Sequence, residues 1–100
     1  MTSVVDIESP AGVTPAGALQ PRTIARVRGR VHHVEVSPAD RPATFVARLV
    51  DDSGALDCVF MGRRGIAGIE PGAMLEVEGR ITASEDVPVI YNPRYELLPA

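Results

Sequence analysis

From Arg22 onward, apolar and polar residues alternate with period two, the pattern of strands that bury one face. In Ile24–Val31, Ala25, Val27, Gly29 and Val31 fall on one face and Arg26, Arg28 and Arg30 on the other. The phase then changes: Val34 and Val36 are apolar at even positions, which puts an extra residue, a β-bulge, at His32-His33. A long first strand with a glycine near its middle and a bulge beyond it can bend sharply and serve two sheets. Ser37–Pro42 is a loop by composition. Phe45, Ala47 and Leu49 alternate with Thr44, Val46 and Arg48 in a second strand, and Leu56, Cys58 and Phe60 with Asp57, Val59 and Met61 in a third. Between them Asp51-Asp52-Ser53-Gly54 predicts a tight hairpin turn in which Gly54 is free to take positive φ. Gly62–Ile69 has no strand pattern. Ile66 and Ile69 stand three apart and predict one short helical turn, limited by the three glycines of the segment. After the turn Glu70-Pro71-Gly72, Leu75, Val77, Gly79 and Ile81 alternate with Glu76, Glu78 and Arg80 in a fourth strand. Val87–Leu98 is a fifth, interrupted by Pro88 and Pro93 as an edge or bulged strand would be.

Residues 1–21 behave differently. Pro10, Pro15 and Pro21 alternate with Gly12 and Gly17 among small residues, and no period is long enough to bury a face. The expectation is a flexible or loosely packed N-terminal arm over 1–21, followed by one domain over 22–100. The domain's order is strand, strand, strand, short helix, strand, strand. That is the order of an all-β, five-stranded OB-fold Greek-key barrel with a short helix between strands 3 and 4.

Composition narrows the classes. The 100 residues suffice for one small domain. With 45% hydrophobic residues, 4% aromatic and no Trp, the core must come from Val, Ile, Leu and Ala. No apolar run approaches the ~18 residues of a membrane span. No basic segment leads into an apolar stretch at the N-terminus, so no secretory signal is expected, and the expected setting is cytoplasmic. The single cysteine, Cys58, excludes an internal disulfide and a cysteine-rich zinc site. All ten basic residues are Arg, and the net charge is −3, which argues against a strongly basic nucleic-acid binder. The first 21 residues contribute Asp6 and Glu8 without any base, so residues 22–100 are close to neutral, and a polyanion would need a local cluster of arginines.

Three segments carry a family resemblance. RVRGRV (Arg26–Val31) resembles an OB-fold first strand with its mid-strand glycine. LVDDSGALDCVFMG (Leu49–Gly62) resembles the second strand, turn and third strand of single-stranded-nucleic-acid OB domains, and PGAMLEVEGRI (Pro71–Ile81) the turn into their fourth strand. Over residues 22–98 the set is similar to the anticodon-binding domains of class II aminoacyl-tRNA synthetases and to the wedge domain of branch-migrating helicases. It looks closest to small stand-alone OB-fold nucleic-acid-binding proteins rich in Arg and poor in Lys. The resemblance implies binding of single-stranded DNA or RNA without catalysis; fold alone does not fix function.

Binding of a single strand needs cations for phosphates and π surfaces for bases. In OB-fold binders the ligand lies across strands two and three, which makes Arg41 in the first loop, Arg48 on strand two and Arg63-Arg64 after strand three the candidate phosphate contacts. Arg63 and Arg64 lie between Gly62 and Gly65 without a core reason for being there. Tyr91 and Tyr95 flank Asn92-Pro93-Arg94, so YNPRY offers two rings around Arg94; they either stack on bases or cap the barrel. Arg26, Arg28 and Arg30 read as a solvated face paired in part with Glu76 and Glu78, and Phe45 and Phe60 as core. Val46, Val59 and Met61 occupy outward positions of strands two and three. They suggest the alternative function, a protein-interaction or assembly module whose partner is another protein or a second copy.

Enzyme chemistry has little support. His32 and His33 are adjacent on a strand, which sends side chains to opposite faces, and no further His or Cys completes a zinc site. Asp51-Asp52 reads as turn chemistry rather than a magnesium pair, and Cys58 as a small core hydrophobe. GRRGIAG lacks the Lys-Ser/Thr of a phosphate-binding loop. No cofactor and no metal are expected.

Overall fold

The computed structural model describes residues 12–99. Alternation in the sequence becomes alternation in burial. Along β1 (Ile24–Val36), exposed and buried positions strictly interchange as far as Val31. β2 (Thr44–Val50) and β3 (Ala55–Met61) repeat the pattern, as does β4 (Met74–Thr82) over its first half. The fifth strand is broken into β5 (Val89–Tyr91) and β6 (Arg94–Leu97). The break is at Asn92, which takes φ 48°, and at Pro93, which cannot donate to a ladder.

The strands form one sheet, β1-β2-β3-β5-β4, closed by a second β1–β4 pairing, with β6 continuing beside β4. The β3–β5 pair is parallel and the other pairs are antiparallel. This is the OB-fold barrel expected from the sequence. β1 serves both walls: Ile24–Arg30 pair with β4 and Arg30–Val36 with β2. Gly29 sits where the strand passes from one partner to the other. A Cβ there would run into the Val50 carbonyl oxygen and stand 3.1 Å from Leu49 Cγ. The bulge lies where predicted, since Val31 pairs with Leu49 and His33 with Arg48, leaving His32 without a counterpart.

The core is aliphatic. Val27, Val31, Leu49, Leu56, Leu75, Val77, Ile81 and Ile90 are essentially inaccessible, as is Cys58; Phe45 and Phe60 close one end. Burying each large aliphatic side chain contributes roughly 1.5–3 kcal/mol, enough for such a core to hold a small barrel. Burial pushes the Cys58 thiol up to about 12, with the neighbouring Asp57 charge adding to the shift.

Two expectations are corrected. No helix forms between β3 and β4 among the described residues: Gly62–Ala73 runs as successive turns, with Gly62, Gly68 and Gly72 at positive φ. Ile66 and Ile69 are nonetheless buried, and the Ile69 amide donates to the Ile66 carbonyl at 3.0 Å, so one turn plugs the barrel without becoming a helix. Gly54 does not take positive φ. It is small because Gly17 Cα and N lie 3.2 Å from where its Cβ would be.

That contact belongs to a dock between the hairpin turn and the segment before β1. Residues 1–11 of the expected arm lie outside the described residues, and half of the positions in 12–21 are exposed. Ala16 is buried in a 3-10 turn, Ala16–Ala18. Its amide donates to Asp51 Oδ2 at 2.8 Å, and that of Gly17 to Ser53 Oγ at 2.8 Å. Asp51 Oδ1 also accepts from the Ser53 amide and hydroxyl and from the Gly54 amide. Partial burial raises the Asp51 carboxyl, but the bonds from Ser53, Ala16 and Gly54 outweigh it and hold the group below its ordinary value. The hairpin turn is thus the dock for the segment before β1. No helix among the described residues is long and apolar enough to cross a membrane.

Candidate nucleic-acid interface

The outer face of β1, β2, β3 and β5 is built in rows by strand register. One row reads Glu35, Val46, Val59, Tyr91 and the next reads His33, Arg48, Asp57, Val89; Thr44 pairs with Met61 at the barrel end. Val46 and Val59 are half-buried, whereas Met61 is 58% and Tyr91 52% exposed. The face therefore carries one exposed aromatic ring beside an apolar strip.

Its end is tied together by Asn92. The Asn92 amide donates to the Val59 carbonyl at 2.7 Å, and Asn92 Oδ1 accepts from the Met61 amide at 2.8 Å. This joins the end of β3, and with it Gly62-Arg63, to the YNPRY corner. The sequence reading gave Asn92 no role, although Asn is the non-glycine residue that best tolerates left-handed backbone.

The candidate cations separate into three groups. Arg48 forks onto Asp57, Nε to Oδ1 at 2.8 Å and a terminal nitrogen to Oδ2 at 3.0 Å, and reaches Asp86 at 2.8 Å. Hydrogen bonds to Asp57 and Asp86, together with their charge, raise its pKa further. Its charge is already balanced by two carboxylates, which makes Arg48 an ion-pair residue of the sheet. Arg64 is also committed. Its guanidinium donates to the carbonyls of Ser37 and Pro38 at 2.9 Å, to Ser37 Oγ at 3.0 Å and to the Arg41 carbonyl at 2.7 Å. Arg64 is the internal frame of the β1–β2 loop, which is the structural reason the sequence did not reveal for it.

Arg41 and Arg63 form the second group. Both are exposed, and among the described residues neither side chain meets a carboxylate. Arg94 stands apart on the other wall: on β6 it is the register partner of Glu78 on β4, and it lines a cleft with Arg26, Glu76, Tyr95 and Glu96. Arg26 and Arg28 both pair with Glu76, at 3.5 and 2.8 Å, as the alternation suggested. The tyrosines separate too. Tyr91 is on the outer face, whereas Tyr95 lies opposite the buried Val77 and packs edge-on against Phe60 with centroids 5.7 Å apart. Tyr95 rests on Phe60 and keeps 40% of its surface exposed.

No protein-family model matches the chain, and no curated protein matches it either. Among solved structures, the chain is similar to the crystal structure of the p204 HINb domain, with a TM-score of 0.67 at 17% identity over 86% of this chain. The alignment spans 47% of that structure's chain, about half its length. At this identity the likeness concerns the fold, and it agrees with the barrel traced from strand register.

Proposed function

We propose that the chain is a non-catalytic binder of single-stranded DNA or RNA, weak and largely indifferent to sequence, acting through the β2–β3–β5 face. The observation that carries this reading is Tyr91: an exposed ring on the outer sheet face, beside Val59, at the corner that Asn92 ties to the end of β3. A base stacked on such a ring gains roughly 1–3 kcal/mol and needs no particular identity. Arg41 on the first loop and Arg63 beyond β3 supply cations not neutralised by carboxylates among the described residues. One ring and two cations support an affinity in the non-specific range, with a Kd on the order of 10⁻⁵ M. The setting proposed is cytoplasmic, which suits a chain whose one cysteine is unpaired and buried.

A second reading, a protein-contact module, is favoured by the Val46–Val59 pair beside the exposed Met61 and by the net charge of −3. Titration of labelled oligo-dT and oligo-U at two salt concentrations separates them. Phosphate binding weakens steeply as salt rises. Absence of binding to either strand at low salt rejects the first reading and leaves the second.

A further inference from the structure

We propose that His32 and His33 chelate one divalent transition-metal ion, of the copper(II) or nickel(II) kind, at the bulge of β1. Regular strand geometry would separate the two rings onto opposite faces. The bulge abolishes that separation: His32 has no counterpart on β2, and the two Nδ1 atoms come to 3.0 Å with ring centroids 5.3 Å apart. Two imidazole nitrogens at this distance share one hydrogen, carried by one Nδ1 and accepted by the other. The same pair of lone pairs can hold a metal once that hydrogen moves to Nε2 through water, a change of tautomer that leaves both rings neutral.

The separation selects the geometry. At metal–nitrogen bonds of about 2.0–2.1 Å, nitrogens 3.0 Å apart subtend ~95° at the metal. A tetrahedral ion would need them about 3.3 Å apart at the same bond lengths. An angle near 90° is that of adjacent positions in a square-planar site, the preference of copper(II) and nickel(II) with nitrogen ligands. His32 is exposed and His33 half-buried, so an ion can reach the pair from solvent. Electrostatics permits a cation. His33 faces Arg48, but that guanidinium is balanced by both Asp57 and Asp86. Among the described residues no third His, Cys, Asp or Glu joins the pair, so water completes the coordination.

The inference is independent of nucleic-acid binding and is tested without it. Copper(II) is titrated into the full chain and into H32Q, H33Q and the double variant, followed by calorimetry and electron paramagnetic resonance. The expected result is one ion per chain, nitrogen hyperfine structure from two imidazoles, and at least a tenfold loss of affinity in each single variant. Because copper also binds chain amines and amides, the difference from the double variant is the reading that counts. Amide signals broadened by the bound ion should centre on residues 31–34 and the facing 47–49. Equal affinity and spectrum in the parent and either single variant overturn the proposal, as does one ion shared by two chains. Circular dichroism shows whether the variants remain folded; if H32Q and H33Q do not, the nitrogen count and signal broadening in the parent decide alone.

Discussion

The guanidinium of Arg64 donates to the carbonyl oxygen of Arg41 at 2.7 Å, so one of the arginines after β3 fixes the backbone that presents another. Arg64→Ala is predicted to loosen the β1–β2 loop without unfolding the barrel. The Arg41 amide bonds to Pro38 and the Thr44 amide to Ser37 Oγ inside that loop. Their hydrogen exchange should accelerate about tenfold, corresponding to about 1.4 kcal/mol of local stability, the scale of one ordinary intramolecular hydrogen bond. Unchanged exchange at both amides would show that the loop holds without Arg64.

Gly29 makes a sharper demand on global stability. A Cβ at this position meets the Val50 backbone, which cannot swing aside as a side chain could. Gly29→Ala is predicted to cost at least about 2 kcal/mol, the scale of overpacking in a core. For a domain of this size that lowers Tm by roughly 8–16 °C. A Tm within about 2 °C of the parent would mean that β1 and β2 can part at no cost.

The period-two pattern made the barrel legible because each strand buries one face and exposes the other, and no tertiary contact had to be known. Gly29 and the bulge at His32 were legible for the same reason: each interrupts a regular pattern. The site was legible only in part. Arg48 and Arg64 are arginines in the places where a ligand face puts cations, but what their donors meet, Asp57 and Asp86 in one case and loop carbonyls in the other, is set by register and loop closure. The docking of Ala16 depends on one carboxylate, 35 positions away, at the tip of a hairpin. Small residues, prolines and glycines without periodicity carry no sign of such a contact.

That docking has a pH signature. Asp51 is held below its ordinary value of 3.8, so its hydrogen bonds contribute stability at every pH well above that value. The contribution is lost as pH falls from about 4 through the lower folded-state value. Asp51→Asn should therefore be destabilised relative to the parent at pH 7, with the gap closing in acid as the parent itself protonates. Deletion of residues 1–18 removes Ala16 and should lower Tm clearly. A parent–variant gap constant from pH 7 to pH 2, or a Tm unchanged by the truncation, would contradict the dock.

The Cys58 thiol, pushed up to about 12 and inaccessible, should be inert in the folded chain. Reaction with a disulfide reagent at pH 8 is predicted to follow unfolding, accelerating by orders of magnitude in denaturant. Rapid labelling of the native chain would place the sulfur outside the core.

The proposed function rests on Tyr91 with two cations, and its most direct test is the salt dependence of single-strand binding by the double variant Arg41→Ala, Arg63→Ala. At ~0.7 per phosphate contact on a single strand, the plot of log affinity against log salt should flatten by about 1.4 relative to the parent. Stability should change by less than ~0.5 kcal/mol, because both side chains are exposed and meet no carboxylate among the described residues. A folded double variant with the parent's affinity and salt slope would contradict the account.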